Sequence, residues 1–252
     1  MTRLVICGTG NVARHFFDAF HSSEEVNVVQ VAGRNRQALA YFDKHTDTTE
    51  DFSGLRKADV YLLAVSDSAI ATVARQLKDG LVVHCAGSTS IDRLPEGGRR
   101  GVFYPLQTFS KELKVNFNNV PLCLEAENEA DYRVLEDLAH SISGKTFRVR
   151  SEQRLDLHLA AVFVNNFSNH LFHVGQALCE QKGLPFEILL PLIEETIRKI
   201  RYMSPFEAQT GPARRNDIYT QQLQLEQIEN KAYQAIYKSI THSIQKTYAE
   251  EL

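Results

Sequence analysis

With 252 residues the chain has room for one large domain or two unequal ones, and it excludes both a miniature scaffold and a string of many domains. Its 43% hydrophobic and 23% charged residues rule out composition-driven disorder, while a net charge of -3 argues against a broad electrostatic footprint for nucleic acid or anionic membrane. The expected partners are a small-molecule substrate and further copies of the chain.

The first part of the sequence repeats a short apolar run, a turn and a helical stretch, which is the pattern of a parallel sheet with crossover helices. Strands are expected from Leu4 to Cys7, Val26 to Ala32, Val60 to Val65 and Leu81 to Cys85, apolar on both faces as covered strands must be. Gly101 to Tyr104 and Val120 to Glu125 are two further candidates. A helix around Glu129 to Ile142 and a last strand from Lys145 to Val149 follow. The charged stretch beginning at Arg148 then closes the first domain near residue 150.

Beyond it the spacing is helical. Ser151 is a plausible N-cap for a long helix running to about Gln181, which Gly183 and Pro185 stop. A second helix is expected over Phe186 to Met203, with Pro191 kinking it or delaying its start. After the break at Thr210-Gly211-Pro212, the residues Leu225, Ile228, Ala232, Ile236, Ile240 and Ile244 recur at helical spacing and predict one apolar stripe on a long C-terminal helix. The fold class is thus α/β, a Rossmann-type doubly wound and mostly parallel sheet over residues 1–150, followed by an all-α domain over 151–252 for substrate and dimerisation.

Cys7, Cys85, Cys123 and Cys179 are scattered without metal-ligand spacing and read as reduced core residues, so no metal is expected. The residues after Met1 form no signal-peptide pattern and no apolar run reaches the length of a membrane span, from which a cytoplasmic location is expected.

The chemistry begins at Gly8-Thr9-Gly10-Asn11-Val12-Ala13, a G-x-G-x-x-A run that follows an apolar strand and opens a helix. Gly8 permits a tight turn, Gly10 lets a pyrophosphate approach the backbone, Ala13 lets helix and sheet pack closely, and the helix N-terminus faces the negative charge. At the end of the second strand no carboxylate appears for a ribose 2′-hydroxyl. Arg34, with Asn35 and Arg36 beside it, instead offers a guanidinium fork suited to a 2′-phosphate, and NADP is the expected cofactor. Val65, Ser66, Gly87, Ser88 and Thr89 stand at the ends of the next strands and are expected to flank ribose and nicotinamide, although Ser66 and Ser88 could equally cap the turns that follow.

These motifs, together with His84-Cys85-Ala86-Gly87-Ser88, Gly101 to Phe109, Leu157 to Phe163, Asn165 to His170 and Gln209 to Arg214, carry a resemblance. The sequence resembles the superfamily of 6-phosphogluconate and β-hydroxyacid dehydrogenases, pyrroline-5-carboxylate reductase and the coenzyme-F420-dependent NADP oxidoreductases. More narrowly, it is similar to an uncharacterised bacterial family of NADP-oxidoreductase-like proteins with a Rossmann-like N-terminal part and a helical domain of unknown function. The resemblance implies a fold, a cofactor class and a homodimer through the helical domain. In related dehydrogenases the first long helix after the Rossmann domain presents a Lys and, one turn on, an Asn to the nicotinamide. This chain departs from that pattern, because Val162 follows His158 at that spacing and no lysine lies between Lys145 and Lys182.

At about 100° per residue, Asn165 and Asn169 each fall about 20° from His158 on an ideal helix. His158 suits proton transfer, with Asn165 and Asn169 available to orient substrate, and a satisfied structural histidine is the competing reading. Tyr104 and Gln107 after the Gly101 strand, and Arg214 beside Arg215, are candidates for substrate contact, each also explicable as part of a structural turn. The expected function is hydride transfer between nicotinamide and a small organic molecule held at the domain interface. The alternative is a non-catalytic dinucleotide-binding sensor or assembly protein.

Overall fold

The computed structural model describes residues 1–77 and 79–249. They form two compact units, one ending at Val162 and the other beginning at Phe163.

In the first unit, β1 (Thr2–Cys7), β2 (Val26–Ala32), β3 (Asp47–Thr49), β4 (Val60–Leu63), β5 (Leu81–His84), β6 (Arg99–Pro105), β7 (Leu122–Ala126) and β8 (Thr146–Arg148) make one sheet, in the order β3-β2-β1-β4-β5-β6-β7-β8. All neighbours are parallel except β6 and β7. The expected Rossmann-type α/β class is therefore correct, with one antiparallel step. Strand β3 was not foreseen, because Asp47-Thr48-Thr49 is polar and short, as edge strands that resist unwanted pairing tend to be.

Successive side chains point to opposite faces of the sheet, so two apolar layers form. On one face Leu4, Ile6, Leu62, Val83 and Phe103 pack under Phe16, Phe17 and Phe20 of α1 (Asn11–His21) and Leu135 and Leu138 of α4 (Glu129–His140). On the other, Val5, Cys7, Leu63, Val102 and Tyr104 pack under Ile70 and Val73 of α3 (Ile70–Ala74), with Leu157 of α5 (Ser151–Ala161) at the margin. The short helix α2 (Arg36–Leu39) follows β2.

Ser151 is not the N-cap that the sequence suggested. The cap position is Arg150, whose N–H donates to Gln153 Oε1, while the Ser151 hydroxyl donates to Glu125 and accepts from the Ile91 N–H. A serine at a predicted helix start has been recruited to bind strand β7 instead.

The long helix expected from Ser151 to about Gln181 is not uniform. Val162–Phe167 is a π-helical turn and α6 (Ser168–Glu180) follows it. A constant step of about 100° does not hold through a π turn, whose hydrogen bonds reach one residue further, so the ideal-helix phase of Asn165 and Asn169 fails. Pro191 delays a helix rather than kinking it: a 3₁₀ turn covers Phe186–Leu189 and Pro191 lies in the first turn of α7 (Leu190–Lys199). The predicted C-terminal stripe is divided, with Leu225 on α9 (Ile218–Glu226), Ile228 in the break, and the rest on α10 (Lys231–Thr247), which Asn230 caps by accepting from Ala232 and Tyr233. The short α8 (Pro205–Ala208) begins with a Ser204/Glu207 capping box.

Candidate active site

Strand order changes direction between β1 and β4, and their carboxyl ends open the crevice at which ligands bind doubly wound sheets. Gly8 sits at that point with φ of 136°, a region side chains avoid, and a Cβ there would lie 2.1 Å from the carbonyl oxygen of Ala64. The turn is thus closed to every other residue. Gly10 is the N-cap of α1 without any side-chain cap, no acidic residue occupies the first turn, and a Cβ on Gly10 would meet nothing within 4 Å. Helix N-terminal amides that no side chain caps are what a pyrophosphate requires.

Thr9 presses its methyl against Gly33, where a Cβ would be 2.4 Å away, and so joins the turn to the end of β2. Arg34, Asn35 and Arg36 beyond it are exposed. The Asn35 side chain is partly committed, since its Oδ1 accepts from the Ala38 N–H and caps α2. Val12 packs partly buried against the core. Asn11 is engaged as well: its Nδ2 donates to the Phe109 carbonyl at 3.2 Å, and one turn later His15 Nε2 pairs with the Ser110 carbonyl at 2.8 Å. Both therefore hold the loop after β6 against α1, a role that the motif alone does not announce.

At the end of β4, Val65 is half-buried and Ser66 is exposed, its hydroxyl 3.3 Å from that of Ser68. Asp67, which sequence reasoning passed over, accepts from Ser88 Oγ at 2.5 Å and from Thr89 Oγ1 at 3.1 Å, tying the loops after β4 and β5 together. Below them lies a buried polar network. Arg154, fully buried, donates to Glu125 at 2.5 Å, to the Thr89 carbonyl at 2.6 Å and to Ser151 Oγ at 3.1 Å. His84, also fully buried, accepts from the Ala86 N–H through Nδ1, and among the described residues its Nε2 completes no hydrogen bond. Burial, reinforced by the Arg154 charge, pushes the His84 imidazole down to about 4, so it is neutral at physiological pH. Burial also raises the Cys7 and Cys85 thiols to about 12, which leaves them protonated and poor nucleophiles.

One turn after Arg154 on α5, His158 meets Tyr104 of β6. The Tyr104 hydroxyl and His158 Nδ1 are 3.1 Å apart, with the rings edge to face. Gly87 passes directly over this pair, and a Cβ on it would lie 2.5 Å from Nδ1. The structure thus brings His158, Tyr104, Gly87 and Ser88 together at the carboxyl ends of β5 and β6. Gln107 is exposed and folds back, its Oε1 accepting from the Thr108 N–H.

The remaining predicted residues belong to the second unit. Asn165 on the π turn and Asn169 on α6 are both exposed, so the cost of burying their amides does not arise in the single chain. Arg214 donates to the Gln209 carbonyl at 2.5 Å and lies over the Tyr248 ring at 5.0 Å, binding the end of α8 within its own unit. No group of three or more His, Cys, Asp or Glu suited to a metal occurs among the described residues, and no described helix is long and apolar enough to cross a membrane.

A Bacteroides fragilis protein of known structure, described as a "putative NADP oxidoreductase", is 34% identical to this chain over 97% of its length and 98% of the other, with a TM-score of 0.90. This chain belongs to the same family. The model of a domain of unknown function, DUF2520, matches residues 120–244 and so takes in the last strands of the sheet and most of the helical unit. Fold likeness extends further from this family. A Thermotoga maritima protein shares 23% identity with a TM-score of 0.72, covering 98% of this chain and 99% of its own. An imine reductase from Myxococcus stipitatus in complex with NADP+ shares 15% with a TM-score of 0.65, covering 98% and 93%. No curated protein matches the chain significantly.

Proposed function

We propose that the protein is an NADP-dependent oxidoreductase acting on a small organic carbonyl or imine, or on the corresponding reduced compound. The observation that carries this reading is the β1–α1 turn, where Gly8 admits no side chain and the amides after Gly10 have no side-chain cap at the switch point of the sheet. Arg34 would hold the 2′-phosphate, Ser66, Gly87 and Ser88 would line the path toward the nicotinamide, and His158 would handle the proton. The cofactor, when bound, would supply a hydride as NADPH or take one up as NADP+. The chain's own part is to orient the reactants and to give or take the proton at His158. Residues 1–150 are read as the cofactor domain and 151–252 as the domain for substrate and dimerisation.

Titration with NADPH and NADH, followed by fluorescence, tests the cofactor. Losing a charge-assisted contact costs about 1.5–3 kcal/mol, so R34E is expected to weaken NADPH roughly 10–100-fold and to leave NADH little changed. Preference of the unaltered protein for NADH sinks the Arg34 assignment.

A homodimer through the helical unit is part of the same reading. Among the described residues of that unit, the buried hydrophobic side chains are Ala213, Ile228 and Tyr248, whereas Phe163 is 60%, Val164 75%, Ile188 64% and Leu192 64% exposed. An apolar inventory of this kind needs a partner, since folded units bury most of their apolar side chains. Light scattering is expected to give twice the chain mass at micromolar concentration, and a monomer there removes the dimer.

A further inference from the structure

We infer that Tyr104 is a positioning residue for His158, its hydroxyl fixing the imidazole so that the neutral ring carries its proton on Nε2 and offers that N–H to a ligand. The inference rests on the reading that His158 faces the reacting group and narrows its part there, since a ring with Nε2–H and its Nδ1 lone pair held by Tyr104 donates a hydrogen bond to the ligand and does not take a proton from it.

The geometry is one-sided. Tyr104 is buried, and its hydroxyl has Nδ1 of His158 as its hydrogen-bond partner among the described residues, at 3.1 Å. Burial raises the phenol above its ordinary range, so the hydroxyl keeps its hydrogen. That hydrogen must be donated, because an unpaired buried donor is costly. Donation requires a lone pair on Nδ1, and a neutral imidazole with a lone pair on Nδ1 has its proton on Nε2. In the opposite tautomer Nδ1–H would donate to the Tyr104 oxygen, and the phenol hydrogen would be left without an acceptor among the described residues.

Three elements hold the pair in register. Tyr104 stands on β6, inside the sheet and paired with Cys123 of β7. His158 is one turn beyond Arg154, which is locked to Glu125 and to the Thr89 carbonyl. The backbone of Gly87 closes the remaining side, where a Cβ would lie 2.5 Å from Nδ1 and 2.8 Å from Tyr104 Cζ. Any side chain at position 87 would wedge the rings apart. The consequence for the ligand is chemical: an Nε2–H on His158 favours a group that accepts a hydrogen bond, such as a carbonyl oxygen or an imine nitrogen, over one that only donates. In this arrangement the Tyr104 hydroxyl serves the ring.

The test reads the tautomer directly and needs no substrate. In protein labelled with ¹⁵N-histidine, at a pH where the imidazoles are neutral, long-range ¹H–¹⁵N spectra are expected to show His158 with a protonated Nε2 and a bare, hydrogen-bonded Nδ1, its signals assigned by their loss in H158Q. In Y104F the two nitrogens are expected to shift toward the averaged positions of a free imidazole, with the buried His84 signals in the same spectrum reporting that the fold is intact. G87A is expected to give the same loss by displacement. A protonated Nδ1 in the unaltered protein, or an unchanged His158 pattern in Y104F, overturns the inference. NADPH titration of the unaltered protein separates the two claims, since failure to bind cofactor would remove the oxidoreductase reading and leave the tautomer result standing.

Discussion

Replacing Arg154 with methionine is expected to destabilise the first unit by about 3–5 kcal/mol, the usual cost of removing one partner from a buried ion pair. Arg154 is fully buried and the Glu125 side chain is only 13% exposed, so the remaining carboxylate cannot recover full hydration. The substitution also strips the Thr89 carbonyl of its donor. For a chain of this size such a loss lowers Tm by roughly 10 °C. The double variant E125Q/R154M is expected to lose less than the sum of the single changes, because it neutralises the orphaned charge. Calorimetry of the three variants checks this, and a shift of only a degree or two in R154M would show that the pair contributes little. Because Arg154 also fixes the Thr89 carbonyl beside Ser88, weaker NADPH binding should accompany the lower Tm.

Acid is expected to weaken the fold through His84. Its folded-state pKa of about 4 lies below the ordinary value of 6.5, because burial and then the Arg154 charge disfavour the imidazolium, opposed only in part by the Ser90 backbone and Asp67. The sign follows from proton uptake. Between about pH 6.5 and 4 the unfolded chain binds a proton at this position and the folded chain does not, so stability falls as pH drops through that window and levels off below it. The difference corresponds to about 3 kcal/mol. Urea unfolding at several pH values across the window should show the decline, and H84Q should flatten it. An equally steep decline in H84Q would assign the acid sensitivity to other groups.

Much of the scaffold was legible because the covered strands are apolar runs. Val26–Ala32 is found with the bounds read from the sequence, and the ends of the others moved by a few residues. Strand β3 was hidden by its polar composition, and the π turn by its apolar one, since Val162-Phe163-Val164 reads as ordinary helix. The glycine motif announced its turn because steric exclusion leaves glycine as the residue that fits. The buried polar network sent no comparable signal. Arg154 stands among charged neighbours that read as a solvated boundary, and its burial depends on Glu125 and Thr89, far away in the chain. The pairing of Tyr104 with His158 was hidden for the same reason: each residue was visible as a candidate, and their contact across 54 positions was not.

The contact between Gly33 and Thr9 sets the route for redesigning coenzyme choice. Enzymes that use NAD place an acid near the end of the second strand, and position 33 is the first residue beyond β2. It cannot be recruited, because even a methyl group there would collide with the Thr9 side chain at 2.4 Å. Libraries aimed at a switched dinucleotide preference should therefore hold residue 33 fixed and vary 34 and 36, whose exposed side chains can change sign without repacking the turn beneath them.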